Sequence, residues 1–389
     1  MSHIDKLIAD LCPNGIEFIK IEDLFDLKNG YTPSKSNSSF WENGTVPWFR
    51  MEDIRTNGRV LSHSLQQISE SGVKGGKLFP PNSLLVATSA TIGEHALITV
   101  PHLSNQRFTS LSVKHKWTDQ VDIKFLYHYA FILDKWCRAN TTTSSFASVD
   151  MTGFKNFPIP IPPLEVQREI VRVLDKFTQL EAELEAELEA RRRQYEYYRA
   201  RLFATDSTTV FSPLGVMAKN LDSRRKPVTR EARNPGTIPY YGASGVVDHV
   251  SDYIFDGDYL LVSEDGANLL TRATPIAFSI SGKTWVNNHA HVLEFASHTE
   301  RRFVELYLNS IDLTPFISGA AQPKLNKAKL SSIPIPNPSA ETKERTVQAL
   351  DKLEAFVNDL SVGLPAELAA RRKQYEYYRD RLLTFEEKR

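Results

Sequence analysis

Two short strings, Asn105-Gln106-Arg107 and Asn287-Asn288-His289, carry side chains suited to reading the edges of nucleic-acid bases. A carboxamide donates and accepts at once, which matches adenine. A guanidinium gives two parallel N–H bonds to guanine, and Ser or Thr serves either base. Both strings lead into similar residues, Phe108-Thr109-Ser110-Leu111 and Ala290-His291-Val292-Leu293. A second matched pair lies upstream. Ser83 to Thr88 runs into Ser89-Ala90-Thr91-Ile92-Gly93, and Asp258 to Ser263 runs into Glu264-Asp265-Gly266-Ala267-Asn268. Each reads as a strand ending in a polar turn, with Thr88 paired to Ser263. Val46-Pro47-Trp48-Phe49 answers Ile238-Pro239-Tyr240-Tyr241 in the same way. The candidate base-facing residues are Arg50, Thr88, Ser89, Thr91, Asn105, Gln106 and Arg107 in one half. In the other they are Ser244, Glu264, Asn268, Asn287, Asn288, His289 and Lys324. Each of these also fits a plainer role in a turn or on a solvated surface. The expectation is therefore a reading face on each half rather than any single contact.

Catalytic chemistry finds little support. There is no Walker loop, no dinucleotide-binding glycine fingerprint and no His-Glu-x-x-His. No Gly-x-Ser-x-Gly elbow occurs. The Asn-Pro-Pro-Tyr type of string that an amino-methyltransferase needs is also missing. Asp256, Asp258, Glu264 and Asp265 could be imagined as a metal cluster, but the other half has no matching acids. Cys12 and Cys137 are too few for a zinc site or a disulfide framework. No metal is expected.

The elements that must carry these tips are repeated. Residues 190–202 and 370–382 are identical at eleven of thirteen positions, 180 residues apart. Ile-Pro-Ile-Pro stands at Ile159 and again at Ile333, each ahead of a long segment containing Leu-Asp-Lys. Proline is tolerated only near a helix start, so these strings should be extended chain leading into a helix. Apolar residues then fall at Val166, Ile170, Val173, Phe177, Leu180 and Leu184, continuing to Tyr195, Tyr198 and Leu202. That spacing is a heptad seam. The second copy gives Leu350, Leu353, Val357, Leu360, Leu364, Leu368, Tyr375, Tyr378 and Leu382. A helix over 164–203 would span roughly 60 Å, too long to bury its stripe on one small domain. An antiparallel pair of such helices is expected, with Phe177, Leu180, Leu184, Tyr195, Tyr198, Leu353, Leu360, Tyr375 and Tyr378 at their interface or facing partners.

The copies differ in length. Sixteen residues separate Asp175 from Arg191, and twenty separate Asp351 from Arg371. The longer stretch holds Gly363 and Pro365, so a kink or break belongs there. The shorter holds Glu-Ala-Glu-Leu twice, at Glu181 and Glu185. It reads as an acidic helical face, or as a spacer whose length is adjusted by whole tetrapeptides.

At 389 residues, with 41% hydrophobic and 24% charged side chains, the chain should hold more than one ordinary core. The longest apolar candidate, Phe125 to Leu133, is too short to span a bilayer, and the N-terminus lacks a signal stretch. A cytoplasmic protein is expected. Forty-seven basic residues balance forty-seven acidic ones. The balance holds locally, with 16 against 15 over 1–157 and 13 of each over 206–332. A protein that grips DNA unaided usually carries a basic excess.

With these motifs in hand, the chain resembles the specificity subunits of type I restriction–modification enzymes over its whole length. Leu11-Cys12-Pro13-Asn14-Gly15 resembles the opening of many members. Glu181 to Leu188 resembles the tetrapeptide repeat of one branch, in which copy number tunes target spacing. The Arg-Tyr runs at Arg193–Arg199 and Lys373–Arg379 resemble the ends of the two conserved helices. Ala340 to Lys352 departs more from the family pattern than Val166 to Lys176 does.

The resemblance implies an α+β fold. Two β-rich target-recognition domains, 1–157 and 206–332, would be joined by antiparallel coiled-coil helices at 158–205 and 333–389 in a pseudo-twofold repeat. It implies a non-catalytic subunit in which each domain reads one half of a split, asymmetric target in double-stranded DNA. Two methyltransferase subunits would dock on it, and restriction subunits would join through them. S-adenosylmethionine, ATP and magnesium would belong to those partners, which would also supply the missing positive charge. The alternatives are a stand-alone DNA-acting enzyme and a coiled-coil scaffold with two ligand-binding heads.

Overall fold

The proline strings that precede the long helices are strands. In the computed structural model, which describes residues 3–142, 147–319, 322–358 and 363–388, Pro158–Pro160 pairs antiparallel with Phe18–Lys20. Pro334–Pro336 pairs with Phe211–Pro213 in the same way. Proline has no N–H to give, so it must occupy positions that need none. Ile161 N–H donates to Glu17 and Ile21 N–H to Phe157, which leaves the two prolines between them facing away. Asn337 to Val210 and Leu214 to Ile333 repeat the arrangement.

The chain divides into two compact units, Met1–Glu183 with Ala369–Arg389, and Leu184–Leu368. In the first, a sheet runs in the spatial order Phe25–Asn29, Phe108–Val113, Ser83–Ala87, His95–Ile98, Val60–Leu61. In the second, the order is Lys219–Asn220, Ala290–Glu294, Tyr259–Ser263, Ala277–Ile280. Both central strands are buried on both faces because alternate residues feed separate cores. Leu84 and Val86 join the cluster around Phe125 and Leu126 on helix Ile123–Ala139. Leu85 and Ala87 join Phe49 and Phe108 on the other face. Leu260 and Val262 face helix His298–Ser310, and Leu261 faces Phe255 and Val286. The apolar run Phe125 to Leu133 is thus a core helix. Among the described residues no helix is long and apolar enough to cross a membrane.

Each unit also has a parallel strand pair beside its main sheet. Trp48 lies opposite Leu103 and Phe49 opposite Ser104, while Tyr240 lies opposite Trp285 and Tyr241 opposite Val286. The correspondence of Val46–Phe49 with residues 238–241 therefore holds. The pairing of Thr88 with Ser263 does not. Leu84 faces Leu111 and Leu260 faces Leu293, so Thr88 corresponds to Glu264, one residue further on.

The Leu-Asp-Lys motif docks each long helix on its own unit. Asp175 accepts from His128 Nε2 at 3.1 Å and from Lys124 at 2.6 Å. Asp351 accepts from Arg302 Nε at 2.8 Å. Helix Leu164–Leu202 is continuous over 39 residues. In the first unit it runs antiparallel to helix Leu364–Leu382: Arg372 donates to Glu181, and Phe177 packs on Tyr375 and Tyr378. In the second unit it runs antiparallel to helix Ala340–Asn358, with Arg191 over Phe356 and Leu202 and Phe203 beside Thr342 and Thr346. In the second copy the described helices are Ala340–Asn358 and Leu364–Leu382, with Pro365 in the first turn of the latter. Gly363, where a break was expected, is a bend rather than helix, and Leu360 lies outside the described residues.

The single heptad seam needs correction. Val166, Ile170 and Leu174 are fully buried in the first unit's core, while Val173 and Phe177 are half-buried beside it. Leu180 is exposed and Leu184 half-buried. One helix serves two surfaces here, so its apolar stripe is broader than a coiled-coil seam.

Candidate nucleic-acid interface

After each parallel strand pair the chain turns on an asparagine. Asn105 N–H donates to the Phe49 carbonyl, and its Oδ1 accepts the Arg107 N–H at 3.1 Å. Asn287 N–H donates to the Tyr241 carbonyl, and its Oδ1 accepts the His289 N–H at 2.8 Å. These are Asx turns, in which the side chain replaces a backbone acceptor. Asn105 and Asn287 thus shape the turn, and the two residues after each are pushed out. Gln106, Arg107, Asn288 and His289 are all exposed.

The neighbouring turns are drawn in beside them. Thr88 and Ser89 N–H both point at the Arg107 carbonyl, and Glu264 N–H donates to the His289 carbonyl at 2.9 Å. Thr91 lies on the same loop as Ser89, and its buried hydroxyl has no partner among the described residues. Arg50 follows Phe49; its guanidinium sits 5.6 Å from the Trp48 ring centroid. Arg50, Asn105, Gln106 and Arg107 share a concavity of about 630 Å³ with Lys35 and Trp41. Gln106 Oε1 accepts from the Thr32 hydroxyl at 2.5 Å, which leaves its NH2 to donate outward. The lining mixes the cations Lys35, Arg50 and Arg107 with Glu42 and Glu52, beside the rings of Trp41 and Trp48.

In the second unit Ser244 is exposed in the two-residue turn between strands Pro235–Gly242 and Gly245–Val250, and Gly242 lies beside Asn287. Lys324 pairs with Glu264 at 3.2 Å, and His289 Nδ1 contacts Asp265 at 2.9 Å. Asn268 is separate. Both ends of its amide bond Thr274, closing a loop whose residues line another concavity with Arg192 and Arg199. A basic run, Arg224-Arg225-Lys226 with Arg230 and Arg233, is absent from the sequence-derived candidates; Arg225 and Lys226 reach the second turn, while Arg224 bonds the Ile254 carbonyl and Arg233 pairs with Asp248. Lys226 N–H reaches the Val286 carbonyl, and the Trp285 indole donates to Lys226 at 2.7 Å. Averaging charge over the whole half hid this run; a local window would have found it.

Beneath the turns the two units differ in kind. Thr109 donates to Asn29 at 3.1 Å and lies 2.9 Å from the Thr88 hydroxyl, a wholly neutral cluster. The corresponding positions in the second unit are Asp222, His291 and Glu264. His291 Nδ1 meets Asp222 at 2.6 Å and its Nε2 meets the Leu325 carbonyl at 2.7 Å. Burial pushes the Asp222 carboxyl up, but the hydrogen bond and charge of His291, with Asn220 and the Val292 N–H, outweigh it and hold it at about 2. Burial likewise opposes ionisation of Glu264, yet Arg225, His291 and Lys324 hold it below the ordinary value.

The ligand-type atoms of Asp222, Glu264 and His291 lie within 4.8 Å of one another. The Arg225 guanidinium, 2.6 Å from Glu264 and 3.6 Å from Asp222, already supplies the countercharge. The four acids considered from sequence do not converge. Asp258 pairs with Arg301 at one end of strand Tyr259–Ser263, and Glu264 and Asp265 stand beyond the other.

The helix residues separate by exposure. Tyr195 and Tyr375 are buried, and Leu353 packs against the second unit's core. Tyr198 and Tyr378 are exposed; Tyr378 stacks on Phe177. Tyr197 and Tyr377, next to them, are 59% and 60% exposed, so each Arg-Tyr run buries one ring and presents two.

The family model described as the type I restriction modification DNA specificity domain matches residues 13–190 and 209–370. The EcoprrI type I restriction enzyme specificity subunit of Escherichia coli is 42% identical over 378 residues, 93% of this chain and 92% of that protein. The EcoR124I/EcoR124II specificity subunit of Escherichia coli is 30% identical over 302 residues, 68% of this chain and 71% of that one. The fold is also similar to that of the type I restriction–modification S subunit from M. genitalium. The TM-score is 0.51 at 17% identity, covering 95% of each chain. A chain solved in work on complex assembly and conformational transition of the type I R-M system gives 0.62 at 14% identity, covering 95% of this chain and 98% of that one. The duplicated model match, the identity spread over nearly all of the chain, and two turns built alike but tipped differently all agree: the chain belongs to the family of type I restriction–modification DNA specificity subunits.

Proposed function

We propose that each unit reads one half of a bipartite, asymmetric target in double-stranded DNA, and that this chain itself catalyses nothing. The observation that carries this reading is the same Asx turn built twice and tipped with Gln106-Arg107 in one unit and Asn288-His289 in the other. A shared frame with different polar tips is what two readers of different sequences require. Arg50 and Lys35 beside the first turn, and Lys226 beside the second, meet phosphate. Helix Leu164–Leu202 sets the gap between the half-targets.

Two methyltransferase subunits dock on the duplicated Arg-Tyr runs, using the exposed rings Tyr197 and Tyr198 and, in the second copy, Tyr377 and Tyr378. One surface written twice suits two copies of one partner. Restriction subunits join through them, in the cytoplasm. S-adenosylmethionine, ATP and magnesium are held by those partners. The charge balance of this chain agrees with partners completing the DNA channel.

The test is DNA binding by the chain alone and with its methyltransferase partner, on duplexes altered in one half at a time. The chain alone should bind weakly and salt-sensitively, and the pair tightly. Arg107→Ala should relax selectivity in one half and His289→Ala in the other. Methylation by the isolated chain, or both variants relaxing the same half, would refute the reading.

A further inference from the structure

The neutral and ionic clusters occupy one position of a repeated fold, directly beneath the reading turns. In the first unit Asn29, Thr109 and Thr88 tie the strands together with hydroxyl and amide groups alone. In the second, Arg225 is inserted. Its side chain is 13% exposed. Nη1 donates to Glu264 at 2.6 Å and to the Ala290 carbonyl at 2.8 Å, and it reaches the Asn288 carbonyl at 3.4 Å. Nε donates to the Asp222 carbonyl at 3.2 Å. Nη1 therefore meets the carbonyls on both sides of His289, while Nε of the same rigid plane holds the Asp222 carbonyl.

The rest of the cluster braces that grip. Asp222 accepts from the Val292 N–H at 2.9 Å and from His291 at 2.6 Å. Leu325 N–H donates to the Glu264 carbonyl at 2.7 Å, and Lys324 neutralises the Glu264 carboxylate. Segments around 222, 264, 290 and 325 are joined through charged side chains that the first unit does not have.

We propose that Arg225 is a positioning residue for sequence reading by the second unit alone: it holds the backbone on either side of His289 and so aims Asn288 and His289 without itself touching DNA. This rests on the two-reader function proposed above. A buried ion cluster is a conditional brace. It holds while every partner is present, and removing one leaves the others uncompensated. The first unit's neutral cluster lacks that vulnerability.

The test uses the full chain assembled with its methyltransferase partner, and measures affinity for the cognate duplex and for duplexes changed in one half at a time, across a salt series. Arg225→Met and Arg225→Lys should each lower discrimination in the half read by the second unit by about tenfold or more, with the other half unchanged. The lysine ends one bond short of Nη1 and has no counterpart of Nε, so it can meet Glu264 but cannot span the Asp222, Asn288 and Ala290 carbonyls. Because Arg225 makes no phosphate contact, the salt slope should stay at the wild-type value. Local unfolding of the unit, or a direct contact from Arg225 to DNA, would lower the slope instead.

Full discrimination in Arg225→Lys overturns the proposal, as does a lowered slope or an equal loss in both halves. Should Arg225→Met fail to fold, Arg225→Lys decides alone. A wild-type complex that does not discriminate in two separate halves refutes the two-reader function and this inference with it. A two-half wild type with an unaltered Arg225→Lys refutes only this inference.

Discussion

Gln167 accepts the Asp122 N–H at 2.8 Å, joining the first turn of the long helix to the cap of the core helix that begins at Ile123. Gln167 is fully buried, and its Nε2 donates to the Gln120 and Pro162 carbonyls as well. The helix is thereby keyed into the first unit at its root. The corresponding position in the second unit is Lys343, which pairs with Glu300 at 3.1 Å beside Phe303. Gln167→Ala strands one buried N–H and two carbonyls, and should cost about 2–4 kcal/mol in the unfolding of the first unit. Urea unfolding measures it; a loss below about 0.5 kcal/mol would show that the joint is not structural.

Acid should loosen the second unit through Asp222. Its folded carboxyl titrates at about 2, below the ordinary 3.8. A depressed carboxyl stabilises the fold above its unfolded value and loses that contribution as pH falls through its folded value. The contribution is on the order of 2 kcal/mol, present above about pH 4 and gone near pH 2. Asp222→Asn should flatten that part of the urea-stability profile, while Asn29→Ala in the first unit should leave it in place. An unchanged acid limb in Asp222→Asn would show that the carboxylate is not held as described.

At the turn on Asn105 a shaping role can be tested apart from the proposed reading role. Asn105→Ala removes the Asx bond to Arg107 and should cost about 1 kcal/mol of stability. Arg107→Ala leaves that bond and should change stability little, while costing about 1–3 kcal/mol of discrimination at one base pair. Paired melting and binding measurements check both. Reversed effects would place base reading on Asn105.

Glu181 to Leu188 lies inside the continuous helix, mostly solvent-facing apart from buried Leu188. Adding one Glu-Ala-Glu-Leu after Leu188 lengthens the helix by roughly 6 Å, more than one base-pair rise of about 3.4 Å. The gap between half-targets should widen while both half-sequences stay the same. Altered half-sequences would exclude a spacer role.

The proline strands, the turns at Asn105 and Asn287, the match of Trp48 with Tyr240 and the break before Leu364 were legible because each depends on local chemistry: a missing N–H, an Asx acceptor, a Gly-Pro pair. The one-residue slip between Thr88 and Glu264 arose where periodicity is silent. Ser83–Ala87 and Tyr259–Ser263 are buried on both faces, so no alternation marks their register. The helix seam was misjudged because Leu174, off the seam, is fully buried with Val166 and Ile170, while Leu180, on it, is exposed. The cluster around Arg225 could not be read at all. Its members lie at 222, 225, 264, 291 and 324, and only the folded sheet brings them together.

The most direct test of two readers on one frame is single-molecule methylome sequencing of cells that carry this chain with its methyltransferase partner, as wild type and as Arg107→Ala. Wild type should methylate adenine at one asymmetric motif of two half-sequences separated by a fixed gap, and Arg107→Ala should relax one half-sequence alone. A contiguous motif, or relaxation of both halves together, would contradict it.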